Sequence, residues 1–148
     1  MTAARLVFGW GNRSRGDDAI GPLCIVRLRE ALGDDAGVEC LDDYQLQVEH
    51  ALDLVGRRAV LFVDACRGGT PPFVAQEVHA ARDASFTSHA LSPQALLQVY
   101  EDLRGEPAPP ATLLGICGEQ FELGAEPGRA ALAHLEAALP WIHSWLGR

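Results

Sequence analysis

The side chains in this sequence best suited to chemistry are carboxylates and one imidazole, each placed next to a segment that reads as a strand or helix end. Asp17 and Asp18 are adjacent in the Gly-rich stretch Gly9-Trp10-Gly11-Asn12-Arg13-Ser14-Arg15-Gly16-Asp17-Asp18-Ala19-Ile20-Gly21. Asp42 and Asp43 close a second strand-like run, and Asp64 closes a third, Ala59-Val60-Leu61-Phe62-Val63-Asp64. His89 lies in Thr87-Ser88-His89-Ala90-Leu91, just ahead of a helix signal. If the strands are parallel, their carboxyl ends share one edge, and Asp18, Asp42 and Asp64 are expected to converge there. Two carboxylates with one imidazole make an N/O ligand set with open positions. Such a set suits a borderline divalent ion such as nickel or zinc better than magnesium or calcium. Each residue also has a plain structural explanation. Asp17 and Asp18 would serve as helix caps, Asp64 as an acceptor for the N–H groups of a neighbouring loop, Asp42 and Asp43 as turn formers, and His89 as an ordinary loop histidine. Residue types alone yield an acidic pocket and no named reaction.

The elements that must position these groups alternate. Strands are expected at Arg5 to Gly9, Val38 to Asp42, Ala59 to Asp64, Phe73 to Val78 and Thr112 to Cys117. The third is continuously apolar, as a central parallel strand should be. The fourth is mixed in polarity and reads as antiparallel or nearer an edge. The first helix starts at Asp17 or Asp18 and runs to about Leu32, with Gly33 ending it. Gln47 to Val55 carries Val48, Ala51, Leu52 and Val55 at helical spacing. Ser92 caps a third helix with Pro93 in its first position and Leu96, Leu97 and Tyr100 on its apolar face. A last helix spans about Gly128 to Trp145. Its buried stripe is expected to be Leu132, Leu135, Leu139, Ile142 and Leu146, and Pro140 either kinks or restarts it. This order implies one α/β domain over residues 1–148: a three-layer α/β/α sandwich around a five-stranded, mostly parallel sheet. His50, His79, His134 and His143 read as solvated. Gly105 to Pro110 is a connector, and Arg67 to Pro72 a loop beside the third strand.

Composition and missing motifs narrow the function. The net charge is −8, and the 12 positive residues are all Arg. An acidic chain without a basic stripe disfavours nucleic acid and anionic membranes as partners. Gly9-x-Gly11 is followed by Ser14 where the dinucleotide fingerprint needs glycine, and a chain without Lys has no phosphate-binding loop. There is no Gly-x-Ser-x-Gly elbow and no His-Glu-x-x-His. Cys24, Cys40, Cys66 and Cys117 form no Cys-x-x-Cys pair and are expected to be reduced thiols of a cytoplasmic protein, with Cys66 notable for its place two residues after Asp64. The first strand begins almost at once, so no signal peptide is expected, and no apolar run has the length of a membrane span.

Three blocks in this order, Gly9-x-Gly11-Asn12-x(4)-Asp17-Asp18-x-x-Gly21, Phe62-Val63-Asp64-Ala65 and Ser88-His89-x-Leu91, resemble the hydrogenase maturation proteases. The likeness extends over nearly the whole chain. It implies a cytoplasmic endopeptidase that removes the C-terminal extension of a [NiFe] hydrogenase large-subunit precursor once nickel has been inserted. It also implies a sheet with one antiparallel strand, here the fourth. By motif, the metal-contacting residues are Asp18, Asp64 and His89, with Asp18 and Asp64 as catalytic carboxylates. Some members carry Glu at the position of Asp18, one methylene longer. The cofactor is nickel, supplied by the precursor, and the protein is expected to be a monomer.

On this reading Asp17 caps the helix while Asp18 faces the metal. The Tyr44-Gln45-Leu46-Gln47-Val48-Glu49 segment borders the pocket and helps select the partner. The metal either polarises the scissile carbonyl or activates water, or it only locates the substrate while the acids hydrolyse the bond. Two other classes compete: a nickel-sensing checkpoint that holds the precursor without cutting it, and a small-molecule binder using the same strand-end crevice.

Overall fold

In the computed structural model, which describes residues 2–82 and 91–148, five strands form one sheet in the order β2-β1-β3-β5-β4. The strands are β1 Arg5–Trp10, β2 Val38–Asp43, β3 Ala59–Arg67, β4 Phe73–Val78 and β5 Ala111–Gly118. The pairs β1·β2, β1·β3 and β3·β5 are parallel, and β4 pairs antiparallel with β5 at the edge, as the mixed polarity of its sequence suggested.

Alternation along the central strands explains the layers. Val7, Leu61, Val63, Leu114 and Ile116 point to one face and pack beneath α1 (Ile20–Leu32) and α3 (Arg129–Leu146). Leu6, Phe8, Trp10, Val60 and Phe62 point to the other, beneath α2 (Pro93–Arg104) and the 3-10 turn Val48–Leu54. Removing Phe8 and Phe62 from water stabilises the fold by roughly 2–3 kcal/mol each. Helix α1 lies unusually close to β1. A Cβ on Gly9 would fall 2.5 Å from the Gly21 carbonyl oxygen, and one on Gly21 would fall 2.2 Å from that of Trp10. The two glycines of the opening motif therefore let strand and helix backbones touch.

Several local expectations need correction. The segment after β2 is a 3-10 turn rather than an α-helix; Ala51 and Leu54 are its buried residues, while Val48 and Leu52 face solvent. The short stretch is held by side chains at its start: the Gln47 N–H donates to His50 Nδ1 at 2.8 Å. Helix α3 runs unbroken through Pro140. Leu132 is exposed, and Ala131, Leu135, Ala138, Ile142 and Leu146 form the buried stripe. Strand β3 does not stop at Asp64 but continues to Arg67, paired with β5 as far as Gly118.

Candidate functional site at the strand switch point

The continuation of β3 creates the site. Pairing between β1 and β3 ends at Gly9 and Val63. Asp64 is the next residue on β3, and its register partner on β5 is Gly115, which has no side chain. From β1 the chain passes through α1 to β2 on one side, and returns to β3 on the other. The gap beside Asp64 is thus the topological switch point of the sheet, at the carboxyl end of its parallel strands, where open α/β sheets hold ligands.

The loop after β1 brings Asp18 to this gap. It is built so tightly that a Cβ on Gly11 would lie 1.9 Å from the Asp18 carbonyl oxygen. The Asn12 N–H donates to Asp18 Oδ2 at 2.6 Å. The Asn12 side chain then reaches in two directions, accepting from the Ser14 N–H at 2.8 Å and donating to the Tyr44 hydroxyl at 2.8 Å. Asp64 is half-buried. Burial, with the Asp18 carboxylate acting in the same direction, pushes its pKa up to about 7, against a hydrogen bond from the Ala65 N–H. A partly desolvated acid whose ionisation is opposed by a neighbouring carboxylate fits a divalent cation, whose charge would offset that cost.

Asp17 does a different task from its neighbour, and not the one expected. It caps neither the 3-10 turn Gly16–Ala19 nor α1. Its side chain, 1% exposed, turns to the opposite side of the loop. Oδ2 accepts from the Glu119 N–H at 2.7 Å and the Gln120 N–H at 3.0 Å, and Oδ1 accepts from the Gly128 N–H at 2.7 Å. Burial pushes its pKa up, but these donors together with His134 outweigh it and hold the carboxyl below its usual value. The Asp17 N–H also donates to the Gln120 carbonyl at 2.8 Å. One buried carboxylate thereby joins the turn after β1, the loop after β5 and the start of α3.

Asp42 does not join Asp18 and Asp64. It is the next-to-last residue of β2, on the far side of β1 from β3, and is paired with Arg13 at 2.8 Å and Arg29 at 3.1 Å. Asp43 accepts from the Tyr44 N–H and bonds His50 Nε2 at 3.0 Å. His50 is therefore a largely buried strut packed on Phe8, not a solvated residue. His134 is also engaged, with Nδ1 at 2.7 Å from the Cys117 carbonyl oxygen. His79 is exposed as expected. His89 lies outside the described residues. Its flanks are tied to the start of α2: the Ala81 N–H donates to the Gln94 carbonyl, and Ser92 accepts from the Ala95 N–H. Among the described residues no group of three His, Cys, Asp or Glu side chains is arranged to hold a metal. None of their helices is long and apolar enough to cross a membrane.

Sequence reasoning missed two further features of this edge. The guanidinium of Arg67 lies 4.1 Å over the Phe121 ring, bracing the end of β3 against the loop after β5. Cys66 and Cys117 are register partners with their sulfurs 3.7 Å apart. The position of Cys66 after Asp64 was visible in the sequence, but the identity of its partner needed the strand order.

No protein-family model matches the chain, and no curated protein matches it. Solved structures do. The chain is similar to a [NiFe] hydrogenase maturation protease, HycI, from Thermococcus kodakarensis KOD1, with 24% identity, a TM-score of 0.74, and coverage of 99% of this chain and 94% of that one. It is similar to the hydrogenase maturating endopeptidase HybD from E. coli at 24% identity and TM-score 0.74, covering 96% of this chain and 91% of that one. A hydrogenase 2 maturation peptidase from Thaumarchaeota archaeon SCGC_AB-539-E09 follows at 23% identity and TM-score 0.69, covering 97% of each chain. These likenesses show a shared fold along almost the full length of the molecule.

Proposed function

We propose that the protein is an endopeptidase that removes the C-terminal extension of a [NiFe] hydrogenase large-subunit precursor after nickel insertion. The observation that carries this reading is the placement of Asp18 and Asp64 on either side of the switch point, in a fold shared with hydrogenase maturation proteases. The nickel belongs to the substrate. Asp18 and Asp64 would meet it from this chain, with His89 as the third ligand and the precursor's own donors completing the set. Bound there, the ion would polarise the scissile carbonyl or an attacking water.

The remaining chemistry belongs to the side chains. Without the ion, burial and the Asp18 carboxylate push the Asp64 pKa up to about 7. The substrate's dication would hold Asp64 as the carboxylate, which would accept a proton from the attacking water and return it to the leaving amine. Asp18, oriented by the Asn12 N–H, holds its carboxylate toward the gap. Because a dication relieves the opposition between the two acids, the site is completed only by a metal-loaded substrate, which makes cleavage conditional on loading. Tyr44 and Val48, both exposed beside this loop, give the partner an apolar rim on which to rest. We place the reaction in the cytoplasm and assign it to a monomer.

Incubating the purified protein with nickel-loaded and nickel-free precursor tests this. Removal of the extension from the loaded form alone is the expected result. Binding of the loaded form without cleavage would replace the peptidase by a checkpoint protein, and neither binding nor cleavage would leave a small-molecule binder.

A further inference from the structure

We propose that Cys66 and Cys117 are a redox-active dithiol that closes to a disulfide by exchange with a low-molecular-weight disulfide. The two residues sit opposite each other on the adjacent parallel strands β3 and β5. Neighbouring strands run about 4.8 Å apart, within the Cα separation that a disulfide spans. Both side chains leave the same face of the sheet, and the sulfurs already lie 3.7 Å apart. Each must move by less than about 1 Å to bond.

The surroundings leave room for that movement. The sulfurs of Cys66 and Cys117 lie 3.1 and 3.2 Å from where a Cβ of Gly69 would be, and Cys66 Sγ lies 3.1 Å from that of Gly115. Two glycines therefore line the pair, where any larger residue would press on the sulfurs. Access is unequal: Cys66 is half-buried, whereas Cys117 is 4% exposed. This sets the order of events. The Cys66 sulfur attacks one sulfur of the small disulfide, forming a mixed disulfide and releasing the first small thiol. The Cys117 sulfur then attacks the Cys66 sulfur and releases the second. Two protein thiols are oxidised, one small disulfide is reduced to two thiols, and the two protein protons leave with them. Cys24 and Cys40 are the internal controls. Cys24 is fully buried, and burial pushes its thiol up to about 12.

Incubation of the folded wild-type protein with oxidised glutathione, followed by acid quench, mass spectrometry and thiol titration in denaturant, tests this without any hydrogenase precursor. The expected product has lost about two mass units, retains two of its four titratable thiols, and yields a peptide pair crosslinked through Cys66 and Cys117. Dithiothreitol restores all four thiols. Cys117→Ser should stop at the first step, accumulating a glutathione adduct of about 305 mass units on Cys66 that the wild type does not retain. Four free thiols after prolonged incubation, a lasting adduct on the wild type, or a crosslink involving Cys24 or Cys40 would each overturn the proposal.

Discussion

Asp17 and Gly128, 111 positions apart in sequence, are joined by a 2.7 Å hydrogen bond from the Gly128 N–H to Asp17 Oδ1. With the bonds from Glu119 and Gln120 to the other oxygen, it fastens the loop carrying Asp18 to the opposite end of the chain. Asp17→Asn keeps the size but turns an amine toward at least one of these N–H donors. Each bond to a charged acceptor is worth roughly 1.5–3 kcal/mol, so the variant should be destabilised by about 3 kcal/mol in urea unfolding at neutral pH. The folded pKa of Asp17 lies below its unfolded value. Its contribution is therefore present above the unfolded pKa and lost as pH falls through the folded one, and the variant should show a flatter acid limb of stability. An unchanged midpoint would mean that the loop is held by something else.

Asp64 has the opposite sign. Its folded pKa, about 7, lies above the ordinary value near 4. Its contribution to metal-free stability is fully present below the unfolded value and lost as pH rises through the folded one. Wild-type stability should therefore carry a downward component between about pH 4 and about pH 7, and Asp64→Asn should remove that component. Following the Asp64 carboxyl carbon by NMR should give a pKa that falls in Asp18→Asn without reaching the ordinary value, because burial, the larger cause, remains.

Divalent-metal binding at this gap should displace the Asp64 proton. Titration of the metal-free protein with nickel should release protons below about pH 7 and few above it. Affinity should rise with pH over the same interval. Binding that does not depend on pH would place the metal elsewhere.

Asp42 supplies a negative control. It is held by Arg13 and Arg29, a strand away from the gap. Asp42→Ala should leave cleavage of nickel-loaded precursor within about twofold of wild type and cost at most about 1 kcal/mol of stability, since its pairs are at the surface. Asp18→Ala and Asp64→Ala should each lower cleavage by about 100-fold or more, with thermal unfolding still cooperative. Activity retained in both would dismiss the assigned site.

Gly11→Ala tests the construction of the loop. Its Cβ would lie 1.9 Å from the Asp18 carbonyl oxygen, an atom with no freedom to move aside without shifting the acid itself. Stability should fall by about 2 kcal/mol or more, and cleavage should fall further than stability explains. Comparing kcat at a temperature where both proteins are folded separates the two effects.

Alternation and periodicity were sufficient for the layers, because burial of one face demands them wherever the chain is folded. The apolar run Val60–Val63 read as central and is so, and the mixed run Phe73–Val78, read as antiparallel or nearer an edge, is both. The Gly-rich turn carrying two acids was visible in the sequence, whereas the close approach of backbones at Gly9, Gly11 and Gly21 appeared only in the fold. Local spacing failed where tertiary contacts set the outcome. Val48 and Leu52 matched a helical stripe, yet the sheet had room for only Ala51 and Leu54.

The acids at strand ends were legible in the sequence as candidates, but only the strand order decided which of them meet. Asp18 and Asp64 flank the gap between β1 and β3, while Asp42 is carried to the other side of β1 and neutralised by two arginines. The sequence likewise showed two adjacent acids in one turn, and the resemblance divided them as helix cap and metal ligand without supplying the partners that Asp17 has in the fold. The division came from partners more than 100 positions away: the N–H groups of Glu119, Gln120 and Gly128 draw Asp17 inward, and Asp18 is left facing the gap. A carboxylate's role depends on which donors and charges lie within a few ångströms, and that distance is set by the folded chain.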